Sequence, residues 1–197
     1  MGGSNGMFEP GNVNVAAPYF IAGRSGVLTG LTAGQPVARL AQLGMLPGVP
    51  QAAPAVVVPT PIRVSQIRLK YLPATSPTAG VAFEVLKGTG TPATTGGNAH
   101  APQRRKTSGY PAIATTETHL YVSDTGAISG GAFTALDATG ALDWAAVGLA
   151  DVSAAAAAWI PSDLCPVTLE AGEALEVRIV SNISGTGILL VAFDFLR

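Results

Sequence analysis

The chain has 197 residues, of which only 12% are charged, and a formal net charge of −1. That length suits one domain burying ~70% of its unfolded surface, and the near-neutral balance excludes a net field able to steer polyanions or anionic membranes. A mean hydropathy of +0.38 separates it from disordered chains, which pair low hydrophobicity with high net charge. The single Cys165 excludes an internal disulfide. No basic stretch followed by an apolar one opens the chain, so no signal peptide is expected. No apolar run reaches the ~20 residues of a membrane-spanning helix, and synthesis in the cytoplasm is expected. Low charge with many small and apolar residues fits a surface covered by partners. It fits equally a GC-rich coding sequence that favours Ala, Gly, Pro and Arg.

Residues 1–61 differ from the rest. Their charged residues are Glu9, Arg24 and Arg39, and their apolar pieces, Val13 to Ala22 and Val37 to Leu46, are broken by Gly or Pro. Pro47, Pro50, Pro54, Pro59 and Pro61 then crowd together. Proline fixes φ and removes a backbone donor, which predicts an extended course or a sheet edge. Val56, Val57 and Val58 form a candidate edge strand. The segment is too apolar for a solvated tail and too broken for a compact domain. An extended, Pro-rich arm over 1–61 is expected, followed by a β-sandwich over 62–197.

From Ile62 onward an alternating pattern predicts strands. Ile62 and Val64 share one parity, while Ile67, Leu69 and Tyr71 take the other, so a bulge or bend is expected at Ser65-Gln66. Val81, Phe83 and Val85 mark a strand that Gly88 ends, and Thr89 to Lys106 reads as a polar loop. His119 to Ser123 is another strand. Ile128 to Ala150 fits two short strands or a loop with one turn. Ala154 to Ala158 is the best helix-forming stretch, stopped by Pro161.

The C-terminal segment carries the clearest pattern. Leu175, Val177 and Ile179 alternate with Glu176 and Arg178. After a polar connection from Ser181 to Gly187, Leu189, Val191, Phe193 and Phe195 form one face of a last strand. Ile188, Leu190, Ala192 and Leu196 form its other face, broken only by Asp194. A strand apolar on both faces is expected to be covered on both. Short strands between Gly, Pro and Thr turns predict an all-β antiparallel sandwich rather than βαβ units.

Chemistry is hard to place on this pattern. His100 and His119 show no metal-ligand spacing, and no Cys or carboxylate set completes a tetrahedral zinc site. Cys165, between Leu164 and Pro166, lacks a readable base and reads as a small apolar residue. Gly23-Arg24-Ser25-Gly26 misses the nucleophile-elbow spacing by one residue. Thr95-Gly96-Gly97-Asn98 lacks the Lys of a phosphate loop. Glu170, Glu173 and Glu176 recur every third residue, but Gly172 favours a turn leading into a strand. No enzyme activity, cofactor or metal is expected. Arg104-Arg105-Lys106 is the one basic cluster, too small for the ~6–10 phosphate contacts of a strong DNA binder. It reads as a solvated loop tip or as an anchor to an acidic partner surface, and nucleic acid is not an expected partner. Tyr110, Trp144 and Trp159 fit core packing or a sugar site.

A broken apolar arm, a loop reading Gln103-Arg104-Arg105-Lys106-Thr107-Ser108-Gly109-Tyr110, and an ending of Leu169-Glu170-Ala171-Gly172-Glu173-Ala174-Leu175-Glu176-Val177, Gly185-Thr186-Gly187 and a final apolar strand stand together here. This combination resembles small virion structural proteins of tailed bacteriophages, in particular jelly-roll decoration or cement proteins of the capsid. The resemblance implies a non-enzymatic virion protein, made in a bacterial host. It would bind a major capsid protein or another virion protein and assemble with itself, often as a trimer. It further implies an arm reaching across subunits, with β-augmentation at sheet edges. Phe8, Tyr19, Phe20, Val56, Val57, Val58, Arg104, Arg105 and Lys106 are the residues expected at partner contacts. A tail, head–tail or fibre component and a sugar-binding jelly-roll module are the alternatives.

Overall fold

The computed structural model describes residues 17–43, 61–75, 81–105, 110, 112–113, 117–135, 158–160 (backbone only), 167–180, 182 and 185–197. Among them are the strands β1 (Tyr19–Arg24), β2 (Pro36–Gln42), β3 (Ile62–Pro73), β4 (Phe83–Gly90), β5 (Gly97–His100) and β6 (Gln103–Arg104). The remainder are β7 (Thr118–Ser123), β8 (Phe133–Ala135), β9 (Ala158–Ile160), β10 (Val167–Leu169), β11 (Glu173–Ile179) and β12 (Gly187–Leu196). No helix occurs among the described residues.

The antiparallel pairs nest inside one another. β1 pairs with β12, β2 with β11, β3 with β10 and β4 with β8. A long hairpin rolled over on itself produces this order, and two further ladders, β3–β12 and β4–β11, close the roll. The product is a front sheet in the order β10-β3-β12-β1-β6, with β9 also on β3, and a back sheet in the order β5-β7-β2-β11-β4-β8. Two antiparallel sheets packed face to face in this nested order make a jelly-roll sandwich.

Alternation decides which side chains fill the space between the sheets. Ile21 from β1, Leu69 from β3 and Val191, Phe193 and Phe195 from β12 point inward from the front sheet. Leu40, Val85, Leu120, Leu175 and Val177 meet them from the back sheet. β3 could not keep one parity over its whole length, and the bulge expected at Ser65-Gln66 is present. Gln66 lies opposite Asp194 and Val64 opposite Phe195, leaving Ser65 as the extra residue. Its hydroxyl donates to the Asp194 carbonyl at 3.1 Å. The slip lets Ile62, Val64, Ile67, Leu69 and Tyr71 all face the core. Gly187 starts β12 against the Tyr71 ring, where a β-carbon would overlap the end of the ring and the Leu72 carbonyl. At Gly172 the chain turns with φ 86 before β11, as the Ala-Gly-Glu spacing predicts.

Three local expectations change. Residues 17–43, read as part of the arm, supply β1 and β2, and both are built into the sheets because each pairs with one of the C-terminal strands. The sandwich therefore begins before Ile62. The polar stretch from Thr89 contains β5 and β6, because each finds an open edge, on β7 and β1 respectively. Ala158, the one described residue of the alanine run, and Trp159 belong to β9, where pairing with β3 overrides their local preference. β11 and β12, the two C-terminal strands, lie in opposite sheets. Residues 1–16, 44–60 and 136–157 lie outside the described residues.

Phe193 is fully buried at the centre of this packing. Phe193→Ala should cost about 3–5 kcal/mol, read as a lower urea midpoint at unchanged slope; a loss below about 1 kcal/mol would contradict its place in the core. Gly187→Ala should also lower the midpoint, through its clash with Tyr71.

Candidate functional site

The outward side of the front sheet forms a graded surface. Cross-strand register sets its rows: Lys70, Leu190 and Arg24 in one, Arg68, Ala192 and Ala22 in the next, then Gln66, Asp194 and Phe20. Aliphatic side chains from β12 make the floor, while β3 and β1 raise basic side chains on either side. The result is an open trough of about 440 Å³, lined by Ala22, Arg24, Arg68, Lys70, Leu190 and Ala192, with His100 at its border. β12 was expected to be covered on both faces. Its outward Ile188, Leu190 and Ala192 are only half-buried, and Leu196 is 37% exposed.

Asp194 closes one end of the trough. Its Oδ1 accepts from Arg68 at 2.9 Å and from Arg105 at 2.7 Å. The Arg105 guanidinium lies 5.0 Å from the Phe20 ring centroid, a cation–π contact. Two-residue β6 holds this arrangement by pairing with Tyr19 and Phe20, and the Arg105 N–H donates to the Pro18 carbonyl at 2.9 Å. Tyr19 turns inward, stacks on Phe195 at 5.7 Å and meets Tyr110 edge-on at 6.0 Å. The Arg104 guanidinium donates to the Tyr110 carbonyl at 2.9 Å. Tyr19, Phe20, Arg104 and Arg105, widely separated in sequence, thus meet at one edge of the front sheet. Phe8, Val56, Val57, Val58 and Lys106 lie outside the described residues.

His100 reaches the border of the trough from β5 because Gly23 has no side chain. A β-carbon at Gly23 would overlap the imidazole and a Val122 methyl. The His100 Nε2 is buried and takes no hydrogen bond among the described residues. Desolvation holds its pKa below the usual 6.5.

The back sheet treats charge differently. Arg39, Glu176 and Arg178 stand on its outer side, where Glu176 bridges both cations. The Arg39 Nε donates to Oε2 at 2.6 Å and the Arg178 Nε to Oε1 at 2.7 Å. Arg39 also donates to the Thr91 carbonyl at 2.9 Å, and both guanidinium groups pack on the Phe133 ring, at 5.5 and 5.3 Å from its centroid. The Arg39 and Glu176 side chains are only 5% and 1% exposed. This cluster ties β2, β11 and the turn before β8 together. With Glu84 opposite Arg178, the face is balanced. The front face is not: among the described residues, Arg24, Arg63, Arg68, Lys70 and Arg105 share it with one carboxylate, Asp194.

Arg24, Arg68, Lys70, His100 and Asp194 were not singled out as a site from sequence. Arg68 and Lys70 do alternate with Ile67, Leu69 and Tyr71, which marks them as outward on one strand. Their meeting with Arg24 depends on the β1–β12–β3 register. No group of His, Cys, Asp and Glu suited to a metal ion occurs among the described residues.

The two ion clusters should respond unequally to neutralisation. Glu176→Gln leaves Arg39 buried without its counter-charge and should cost about 3–5 kcal/mol. Asp194→Asn should cost less, about 1–3 kcal/mol, because its partners Arg68 and Arg105 are 33% and 36% exposed. Equal losses in chemical denaturation would refute the distinction. For His100 the folded pKa lies below the unfolded one, so the unfolded state binds the proton first as pH falls. Its contribution to stability is constant above pH ~6.5 and is lost progressively below it. His100→Gln should flatten the fall in melting temperature from pH 7 to pH 5; an unchanged slope would show that His100 does not set it.

Comparison with protein-family models, with curated proteins and with solved structures finds no match to this chain.

Proposed function

We propose that this chain is a non-enzymatic virion structural protein, a decoration or cement protein that docks on the head shell of a tailed phage and stabilises it as a homo-oligomer. The observation that carries the reading is the outward face of the front sheet. Aliphatic residues of its central strand stand half-open between basic side chains, where an isolated sandwich would present mostly polar residues. Such a face suits contact over an area rather than turnover at a point. The nested jelly-roll order adds an analogy of fold, since capsid proteins use the same architecture. The fold also hosts lectins, so the face and not the fold bears the argument.

Among the described residues, two-residue β6 pairs with only Tyr19 and Phe20 on that edge of β1 in the front sheet. That edge is where a neighbouring chain adds a strand in this reading. A homo-oligomer, expected as a trimer, places three copies of the basic face toward the shell.

Antibody against the chain should label phage heads, and the purified chain should rebind heads assembled without it. Heads lacking it should release their DNA at a lower temperature than complete ones. Light scattering of the free chain should give a discrete oligomer. A chain that neither sediments with heads nor raises their thermal stability overturns the proposal.

A further inference from the structure

We infer that the trough on the front sheet binds an extended, acidic and partly apolar segment of a partner protein. This names the partner chemistry of the docking face, and it rests on the virion reading only in supplying the identity of that partner.

Charge complementarity carries the argument. Among the described residues, no carboxylate pairs with Arg24 or Lys70, and Asp194 answers only the Arg68 end. The chain as a whole is at −1, so this surplus is local, made by strand pairing. Repulsion between aligned cations costs stability in the isolated protein and is relieved by an anionic partner.

The spacing selects the form of the partner. Arg68 and Lys70 are alternate residues of β3, roughly 6.7 Å apart along the strand. Arg24 and Lys70 stand on either side of Leu190, two strand spacings or about 9.5 Å apart at the backbone. The cations therefore line a course instead of converging on one point, as a lone phosphate or carboxylate would require. Carboxylates at alternate positions of an extended peptide repeat at the same ~6.7 Å, so that one meets Lys70 while its neighbour shares Arg68 with Asp194. Between the cations, Leu190 and Ala192 offer an aliphatic floor, which takes the apolar atoms of such a segment. The trough's few cations fall short of the ~6–10 phosphate contacts of a strong nucleic-acid site.

The test is fluorescence anisotropy with the full chain and three labelled probes. They are a ten-residue peptide of alternating Leu and Glu, the same peptide with Gln for Glu, and a single-stranded oligonucleotide of twenty bases. The Glu peptide should bind saturably, at least tenfold tighter than the Gln peptide, and should weaken with added salt. The double variant Arg24→Glu, Lys70→Glu should lose at least tenfold in affinity. Both positions are solvent-facing, and an unchanged melting curve establishes that the variant is folded. A conservative pair, Arg24→Lys and Lys70→Arg, should retain binding. The inference is overturned by equal binding of the Glu and Gln peptides, by full binding in the folded charge-reversed variant, by oligonucleotide binding tighter than the Glu peptide, or by no saturable binding. The peptide assay needs no phage particle. Peptide binding without head binding therefore refutes the virion reading alone, and head binding undiminished in the charge-reversed variant refutes the trough alone.

Discussion

The register of β12 between β1 and β3 is the constraint on which the rest depends. A sheet alternates with period two, so a one-residue shift would send Val191, Phe193 and Phe195 outward and bring Leu190, Ala192 and Asp194 into the core. The register holds because β3 changes parity at Ser65, which keeps apolar residues inward on both sides of the bulge. It also assembles the trough, since the rows that place Lys70 beside Leu190 and Leu190 beside Arg24 are the same ladders.

The two outer faces show opposite uses of ionic side chains. On the back sheet, Glu176 answers two arginines, both guanidinium groups rest on Phe133, and Arg39 donates further to a backbone carbonyl. Burial of charge is tolerated where every group finds partners. On the front sheet, Asp194 meets its two arginines at the solvent boundary, while Arg24 and Lys70 extend into water without carboxylates among the described residues. The first arrangement holds strands together. The second leaves electrostatic free energy available for a contact, and it lies beside the half-buried Leu190 and Ala192.

Much of the strand content was legible in the order of residues. The parity switch between Val64 and Ile67 marks the bulge, the alternation around Phe193 marks the last core strand, and Gly172 marks the turn before β11. Less legible were β5 and β6, which lack apolar alternation and exist because open edges of β7 and β1 satisfy their backbone groups. Ala158 and Trp159, at the end of the alanine run, differ from the local signal for a related reason. Helix propensity is a preference of fractions of a kcal/mol per residue, and pairing with β3 overrides it at Ala158 and Trp159. The Pro-broken composition of 1–61 concealed β1 and β2, since each is short and its ladder partners lie far along the chain.

The order of residues by itself determined an all-β sandwich with a core led by aliphatic residues and Phe193 and Phe195, because period-two alternation is a local property of adjacent side chains. Composition alone determined that net charge is close to zero. Only the tertiary structure decided where that charge stands. Nested pairing brings Arg24 beside residues near positions 70 and 190, gathers Tyr19, Phe20, Arg104 and Arg105 at one edge, and separates a basic face from a balanced one. Charges sum without regard to order, whereas a surface potential depends on distance, and distances between strands this far apart in the chain are set by register alone.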